Sequence, residues 1–156
     1  MFQSKTFSIL DSMFYDEATS STTKNPNWTP SNVSIAFKDG YTELSKTNSS
    51  SNGNYAIVPR ITAPCIVEWD NHAETDNYNY LMLGSAFFSF QNRGIDGECH
   101  VKIIIEEDKM TPIVDGVAKS SANISETLSD GLELKFRIHS SSTHSIGYSN
   151  FKVYPI

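Results

Sequence analysis

The chain has 156 residues, which suits one well-packed core and is short for two domains. Its formal net charge of −6 argues against a nucleic-acid partner, because binding phosphates requires clustered basic residues. No apolar run approaches the ~20 residues of a membrane-spanning helix, and the first residues lack the basic and apolar segments of a signal peptide. Nine Phe, seven Tyr and connections crowded with Ser, Thr, Asn and Gly favour an all-β domain over residues 1–156.

Alternation of apolar and polar residues predicts a series of short strands. After His100, the residues Val101, Ile103 and Ile105 alternate with more polar neighbours, which is typical of a strand with one face on a core. Asp-Gly pairs at residues 39–40 and 115–116 suit the positive φ angles of tight hairpin turns. The predicted strands cover residues 2–10, 33–37, 41–44, 55–60, 64–70, 80–90, 100–106, 110–114, 132–138 and 151–156. Their number and spacing predict a two-sheet antiparallel β-sandwich.

Polar segments predict the connections between these strands. Residues 11–26 predict a long polar connection, and Trp28 follows in a predicted loop that prolines at positions 26 and 30 stiffen. Residues 71–79 and 120–130 predict further loops, and Gly84 predicts a bend in the most apolar run.

The two cysteines, Cys65 and Cys99, both fall on the apolar phase of strand-like runs. Reduced thiols in the core are the simplest interpretation, since free cysteine packs as a small hydrophobe. A disulfide between them stays open as an alternative. Two cysteines without nearby histidines are too few ligands for a metal site.

Four stretches together resemble a known family. They are Met13-Phe-Tyr-Asp-Glu17, Cys65-Ile-Val-Glu-Trp-Asp70, Val101-Lys-Ile-Ile-Ile105 with Val114-Asp-Gly116, and Tyr148-Ser-Asn-Phe-Lys-Val-Tyr154. Their order is similar to that in concanavalin A-like and laminin-G-like jelly rolls, especially the carbohydrate-binding modules of phage tail and baseplate proteins. The resemblance implies a jelly-roll fold and a cell-surface glycan as ligand.

Sugar binding requires aromatic side chains for the apolar face of the ring and polar groups for its hydroxyls. Trp28, Tyr78 and Tyr80 are the candidate stacking residues, and the candidate polar contacts are Glu68, Asp70, His100 and Arg137. If the strands of His100 and Arg137 share a sheet, these two residues line one face of it. The alternatives are that Trp28 plugs one end of the sandwich and that the polar residues form a solvated sheet face. Trp69 shares a phase with Val67, which predicts that it lies in the core.

Glu68-Trp69-Asp70 resembles part of the Glu-x-Asp-x-(x)-Glu signature of glucanases with this fold. The third carboxylate is expected at Asn71 or His72, and Glu74 comes too late in the sequence to supply it. Retaining hydrolysis needs a nucleophile and an acid/base, so the incomplete set predicts that the chain is not an enzyme.

Structural calcium is often found in such jelly rolls, so a calcium site stays open, with no other cofactor expected. Calcium takes its ligands from carboxylate and carbonyl oxygens. Its candidate ligands here are Asp16, Glu17, Asp70, Asp76 and Asn150.

The sequence therefore predicts a non-catalytic carbohydrate-binding module on a virion or extracellular surface, in a phage tail, a baseplate or an adhesin. Its expected partners are a cell-surface polysaccharide and other virion or surface proteins. One alternative is a structural virion protein that binds only protein. The other is a glucanase-like glycosidase that uses Glu68.

Overall fold

A computed structural model describes residues 28–57 and 60–156 of the chain. The predicted strand over residues 2–10 and the calcium candidates Asp16 and Glu17 lie outside these residues. The described strands are β1 Trp28–Ser31, β2 Val33–Lys38, β3 Tyr41–Lys46, β4 Gly53–Ile57, β5 Cys65–Asn71, β6 Asn79–Leu83, β7 Ala86–Ser89, β8 Cys99–Ile105, β9 Lys109–Val114, β10 Val117–Ala118, β11 Ala122–Asn123, β12 Leu134–Ile138 and β13 Ile146–Pro155. Two single 3₁₀ turns, Gln91–Arg93 and Leu128–Asp130, complete the regular elements.

The strands form two antiparallel sheets that pack face to face. One sheet has five strands in the order β1-β4-β12-β6-β7. The other has the order β10-β9-β8-β5-β13-β3-β2, and β11 pairs with β9 as its eighth strand. The predicted two-sheet β-sandwich is confirmed. Among the described residues there is no helix of the length and apolar character needed to cross a membrane.

Both predicted Asp-Gly hairpins are confirmed. Strands β2 and β3 pair around residues 39–40, where Gly40 has φ of 89°. At the second turn, Asp115 and Gly116 have φ of 48° and 82° and connect β9 to β10. Aspartate tolerates this left-handed conformation and glycine adopts it freely, which is why this dipeptide suits a tight hairpin.

Three predicted segments differ from the structure. Trp28 begins strand β1 and is not in a loop, because residues 28–31 pair with β4. Gly84, with φ of 58°, makes a hairpin turn between β6 and β7, so the apolar run is two strands and not one bent strand. The last strand, β13, begins at Ile146, five residues before the predicted start, and a bulge at Asn150 shifts its pairing with β5.

A cluster of aromatic residues fills the space between the sheets. Trp69 is fully buried and meets Phe136 edge to face, with ring centroids 5.2 Å apart, which confirms the prediction for Trp69. Trp28 is only 1% exposed and stacks on Tyr55 at 4.6 Å. Its ring also contacts Phe151 at 4.8 Å. The prediction of Trp28 as a sugar-stacking residue is therefore wrong, since a residue that packs in the core offers no ring face to a ligand.

Cys65 and Cys99 are both free thiols, as the simplest interpretation predicted. Cys65 lies at one end of the β5–β8 pair, opposite Ile105, and Cys99 lies at the other end, opposite Asn71. Six residues of strand separate the two positions, roughly 20 Å. A disulfide requires Cα atoms within about 7 Å, so the alternative of a disulfide is excluded.

Candidate functional site

The outward side chains of the five-stranded sheet form two parallel rows that cross all five strands. We call this surface the five-strand face. The strand register places side chains next to one another in a first row of Phe87, Met82, Lys135, Ala56 and Thr29 and a second row of Ser89, Tyr80, Arg137, Asn54 and Ser31. Adjacent strands lie about 4.8 Å apart, so each row extends roughly 19 Å from β7 to β1.

Aromatic residues occupy the β7 and β6 end of the five-strand face. Phe87 is 51% exposed and contacts Tyr80, with ring centroids 5.1 Å apart. Tyr78, which is 42% exposed, stacks on His139 at 5.5 Å beside the second row, one residue before β6. Partial burial raises the pKa of the Tyr80 phenol, and the neighbouring Tyr78 adds to this effect. The hydroxyl therefore stays protonated and available as a hydrogen-bond donor.

Polar groups occupy the centre of the same face. Arg137 lies between Tyr80 and Asn54 in the register, and its Nε donates a hydrogen bond to Asn54 Oδ1 at 2.8 Å. Two positions earlier in β12, Lys135 pairs with Glu133 at 3.2 Å. The hydrogen bond to Asn54 fixes the plane of the Arg137 guanidinium on the sheet surface.

An open cleft of about 380 Å³ lies at the β4 and β1 end of the five-strand face. Its lining combines hydroxyl, amide and charged side chains with two apolar ones. The lining residues are Thr29, Ser31, Asn54, Ala56, Ile57, Arg60, Glu133 and Lys135. The face therefore changes from aromatic at one end to a polar cleft at the other.

Asp76 organises the loops beside Tyr78. Its carboxylate accepts hydrogen bonds from the Tyr78 backbone N–H at 2.8 Å, the Ser142 hydroxyl at 3.1 Å, the Thr143 N–H at 3.1 Å and His144 Nδ1 at 3.2 Å. Partial burial raises the pKa of Asp76, but these hydrogen bonds outweigh burial and leave the pKa below its ordinary value. Through these four hydrogen bonds Asp76 clamps the loop before β6 to the loop at residues 142–144.

A second polar cluster lies on the outer side of the eight-stranded sheet. The ring nitrogens of His100 contact two carboxylates, with Nδ1 2.7 Å from Asp70 Oδ1 and Nε2 2.6 Å from Glu68 Oε2. Tyr154 donates its hydroxyl hydrogen to Glu68, and Asn150 Nδ2 donates to Asp70 Oδ2 at 2.8 Å. We call these residues the His100 cluster. A doubly protonated imidazole satisfies both carboxylates at once.

The charges of the His100 cluster stabilise one another. The hydrogen bond to Asp70 raises the pKa of His100 more than partial burial lowers it, and Glu68 raises the pKa further. Burial raises the pKa of each carboxyl group, but their hydrogen bonds and the imidazolium outweigh it and lower both values. Burial and the Glu68 carboxylate raise the pKa of Tyr154 to about 12.

The described residues offer no built metal site. Within residues 28–57 and 60–156, no group of three or more His, Cys, Asp or Glu side chains is arranged to hold an ion. Asn150 Nδ2 donates a hydrogen bond to Asp70 Oδ2 at 2.8 Å, so this pair is held together by the amide nitrogen. A calcium site that includes Asp70, Asp76 or Asn150 stays a prediction from the sequence.

The fold also brings together a serine, a histidine and a glutamate that are distant in the sequence. His72 Nε2 lies 2.6 Å from Ser149 Oγ, and His72 Nδ1 lies 3.1 Å from Glu98. The sequence showed no such arrangement. Ser149 is only 4% exposed in the middle of β13, and the His72 ring above it stacks on Tyr41 at 4.8 Å. The hydroxyl is therefore closed to a substrate, and these contacts hold the strand and the loop together.

The predicted ligand residues divide between opposite sides of the sandwich. Tyr80 and Arg137 lie side by side on the five-strand face, and Tyr78 is next to them. Glu68, Asp70 and His100 form the cluster on the other sheet. His100 and Arg137 do not line one face, because β8 and β12 belong to different sheets and the condition for a shared face is not met. One ligand cannot contact both groups.

Several residues of the five-strand face were not identified from the sequence. Phe87, Lys135 and Asn54 belong to the two rows, and Thr29 and Ser31 line the cleft. Apolar and polar residues do not alternate in Ala86-Phe-Phe-Ser89, so the exposed position of Phe87 has no local signal in the sequence. The pairing of β4 with β12, about 80 residues apart in the chain, has no signal in a single sequence.

The fold belongs to a known structural class. No protein-family model and no curated protein sequence matches the chain. Among solved structures, a galectin-like protein of unknown function from Bacillus subtilis matches with a TM-score of 0.65 at 10% identity, over 91% of this chain and 95% of that one. The carbohydrate binding module CBM66 from Bacillus subtilis matches with a TM-score of 0.59 at 10% identity, over 82% and 95%.

A sialidase matches with a TM-score of 0.60 at 12% identity. The match covers 83% of this chain, which spans only 17% of the sialidase chain. Identities this low show a shared fold and nothing more. The protein is thus a β-sandwich of the galectin-like jelly-roll class, which confirms the fold that the sequence resemblance implied.

Proposed function

We propose that the protein is a non-catalytic carbohydrate-binding module and that its ligand site is the five-strand face. The observation that supports the site is the side-by-side placement of Phe87, Tyr80, Arg137 and Asn54 across three hydrogen-bonded strand pairs. The aromatic rings suit the apolar face of a sugar, and the guanidinium and amide suit its hydroxyls. The cleft at the other end of the rows has room for further sugar units.

The fold of the matched structures favours this function. CBM66 is by name a carbohydrate binding module, and it shares this fold over most of both chains. A fold alone hosts many functions, so the proposal rests on the residues of the five-strand face. Each sugar contact of such an open surface is weak, and display of several copies would strengthen binding through multivalency.

A glycan array with the purified chain tests the proposal, followed by calorimetry with a positive glycan. Phe87→Ala is expected to weaken binding about tenfold, the loss of roughly 1.4 kcal/mol that an aromatic contact residue provides. Val117→Ala is the matched control, because Val117 is 58% exposed in a strand of the other sheet. A folded protein that binds no glycan, or equal losses in both variants, would refute the proposal.

The two alternatives predict different results in the same experiments. A glucanase-like glycosidase predicts that the bound glycan is cleaved and that Glu68→Gln abolishes the cleavage. Against this alternative, the Glu68 carboxylate is hydrogen-bonded by His100 and Tyr154. Glu68 also lines neither the cleft described above nor the smaller one near His144. A structural virion protein predicts no glycan binding at all.

The phage-tail, baseplate or adhesin setting, and a position on a virion or cell surface, stay predictions from the sequence. Localisation of the tagged protein in a producing strain tests them.

A further inference from the structure

The five-strand face is basic, although the chain has a net charge of −6. Lys135 and Arg137 lie in its two rows, and Arg60 lines its cleft. One carboxylate, Glu133, shares this lining and pairs with Lys135 at 3.2 Å. In the part of the chain that the structure describes, no ion pair includes Arg60 or Arg137. Arg137 thus has no carboxylate at ion-pair distance in the described chain, whereas Arg60 acts electrostatically on the Glu126 carboxylate and shares the cleft with Glu133.

Arg137 is oriented to bind an anion. Its Nε is used by Asn54, and the two terminal nitrogens contact no acceptor among the described residues. A guanidinium held in this way presents a fixed pair of N–H donors, which is the geometry that binds a carboxylate or sulfate through two hydrogen bonds. Lys135 lies two residues away on the same side of β12, so a second positive charge is close to the same position.

The groups around these cations suit a sugar. Tyr80 and Phe87 lie on the β6 and β7 side of Arg137 and Lys135, and the hydroxyls of Thr29 and Ser31 lie on the β1 side. A chain of sugars laid across the strands would meet an aromatic surface, then a positive centre, then hydroxyl and amide groups. The row length of roughly 19 Å suits an oligosaccharide better than a single sugar.

We propose that the ligand is an anionic oligosaccharide with a carboxylate or sulfate group bound by Arg137 and Lys135. The proposal rests on the carbohydrate-binding function proposed above and adds the class of sugar. A polynucleotide is less suited than an acidic glycan, because its regularly spaced phosphates require an extended basic surface, whereas the cations described on this face are Lys135, Arg137 and Arg60.

The experiment compares acidic glycans with neutral counterparts of the same backbone. Calorimetry with the full chain uses an oligogalacturonide against its methyl ester, chondroitin sulfate against desulfated chondroitin, and sialyllactose against lactose. At least one acidic member is expected to bind tenfold or more tightly than its counterpart and to weaken as salt rises. The first and third pairs test a carboxylate, and the second tests a sulfate.

Five variants identify the cations responsible. Lys135→Gln and Arg137→Gln are each expected to weaken acidic binding roughly tenfold to a hundredfold, the value of a charge-assisted hydrogen bond. Neutral glycans should lose much less. Lys102→Gln and Lys152→Gln are matched controls, because both lysines flank Glu68 on the other sheet. Arg137→Lys should recover part of the loss, since it keeps the charge without the paired donors.

Different failures have different meanings. Equal affinity for acidic and neutral members, or equal losses in the Lys102 and Lys135 variants, would overturn the anionic class and leave glycan binding intact. Equal binding of a single-stranded polythymidylate would also overturn it, in favour of unspecific attraction of polyanions. Absence of binding to every acidic and neutral glycan on the array would overturn both proposals.

Discussion

Replacing Trp28 by alanine tests whether this residue is part of the core, as the structure shows, or a surface residue for sugar stacking. The Trp28 ring is 1% exposed and contacts the rings of Tyr55, Phe136 and Phe151 at centroid distances of 4.6, 5.8 and 4.8 Å. A tryptophan buries roughly 200 Å², which at about 25 cal/mol per Å² corresponds to about 5 kcal/mol. Truncations of buried aromatic residues cost about 3–5 kcal/mol.

Urea unfolding followed by circular dichroism measures this loss. With a slope of about 2 kcal/mol per molar urea, the midpoint should fall by roughly 1.5–2.5 M. Phe87→Ala is the control, because Phe87 is half exposed and its removal leaves no internal cavity, so its midpoint should move by less than about 0.5 M. A Trp28→Ala protein with the parent midpoint would refute the core assignment, and glycan binding lost without loss of stability would restore the surface assignment.

Three further predictions concern the pH dependence, a turn and the thiols. A histidine with a raised pKa stabilises the fold fully below about pH 6.5 and loses that contribution as the pH rises through its folded value. The free energy of unfolding should therefore decline above pH 6.5 by about 1 kcal/mol or less at this exposed site, and His100→Gln should remove that decline from the urea midpoints. The same pH dependence of the midpoint in the variant would contradict a charged His100 in the cluster. Gly84→Ala should cost about 1–3 kcal/mol, because its φ is 58° and a Cβ would meet the Glu126 carboxylate. Gly97→Ala, at φ of 68° with open space around it, should lower the free energy of unfolding by less. Equal urea midpoints for the two variants would refute the contribution of the contact with Glu126. Burial raises the pKa of Cys65 to about 12, so Ellman's reagent at pH 8 should modify the half-buried Cys99 first and Cys65 only after unfolding. Equal rates in the folded protein would contradict this order.

Local patterns in the sequence determined the elements and the class of fold. The alternation around Val101, Ile103 and Ile105 predicted β8, and the Asp-Gly pairs predicted two turns whose φ angles the structure confirms. These features are local, because a strand exposes alternate side chains to one side and a tight turn depends on two residues. The buried position of Trp69 followed from the same alternation.

Only the tertiary structure decided which strands are neighbours, and every functional surface depends on this. Tyr80 and Arg137 become adjacent because β6 pairs with β12 across more than 50 residues, while His100 lies in the opposite sheet. Trp28 lies in a sequence of prolines and polar residues that is typical of a loop. It is nevertheless a core residue, because β1 pairs with β4 and the Trp28 ring stacks on Tyr55 of that strand. The free energy of such pairing comes from contacts distant in the chain, so a period-two pattern predicts a strand but not its neighbours.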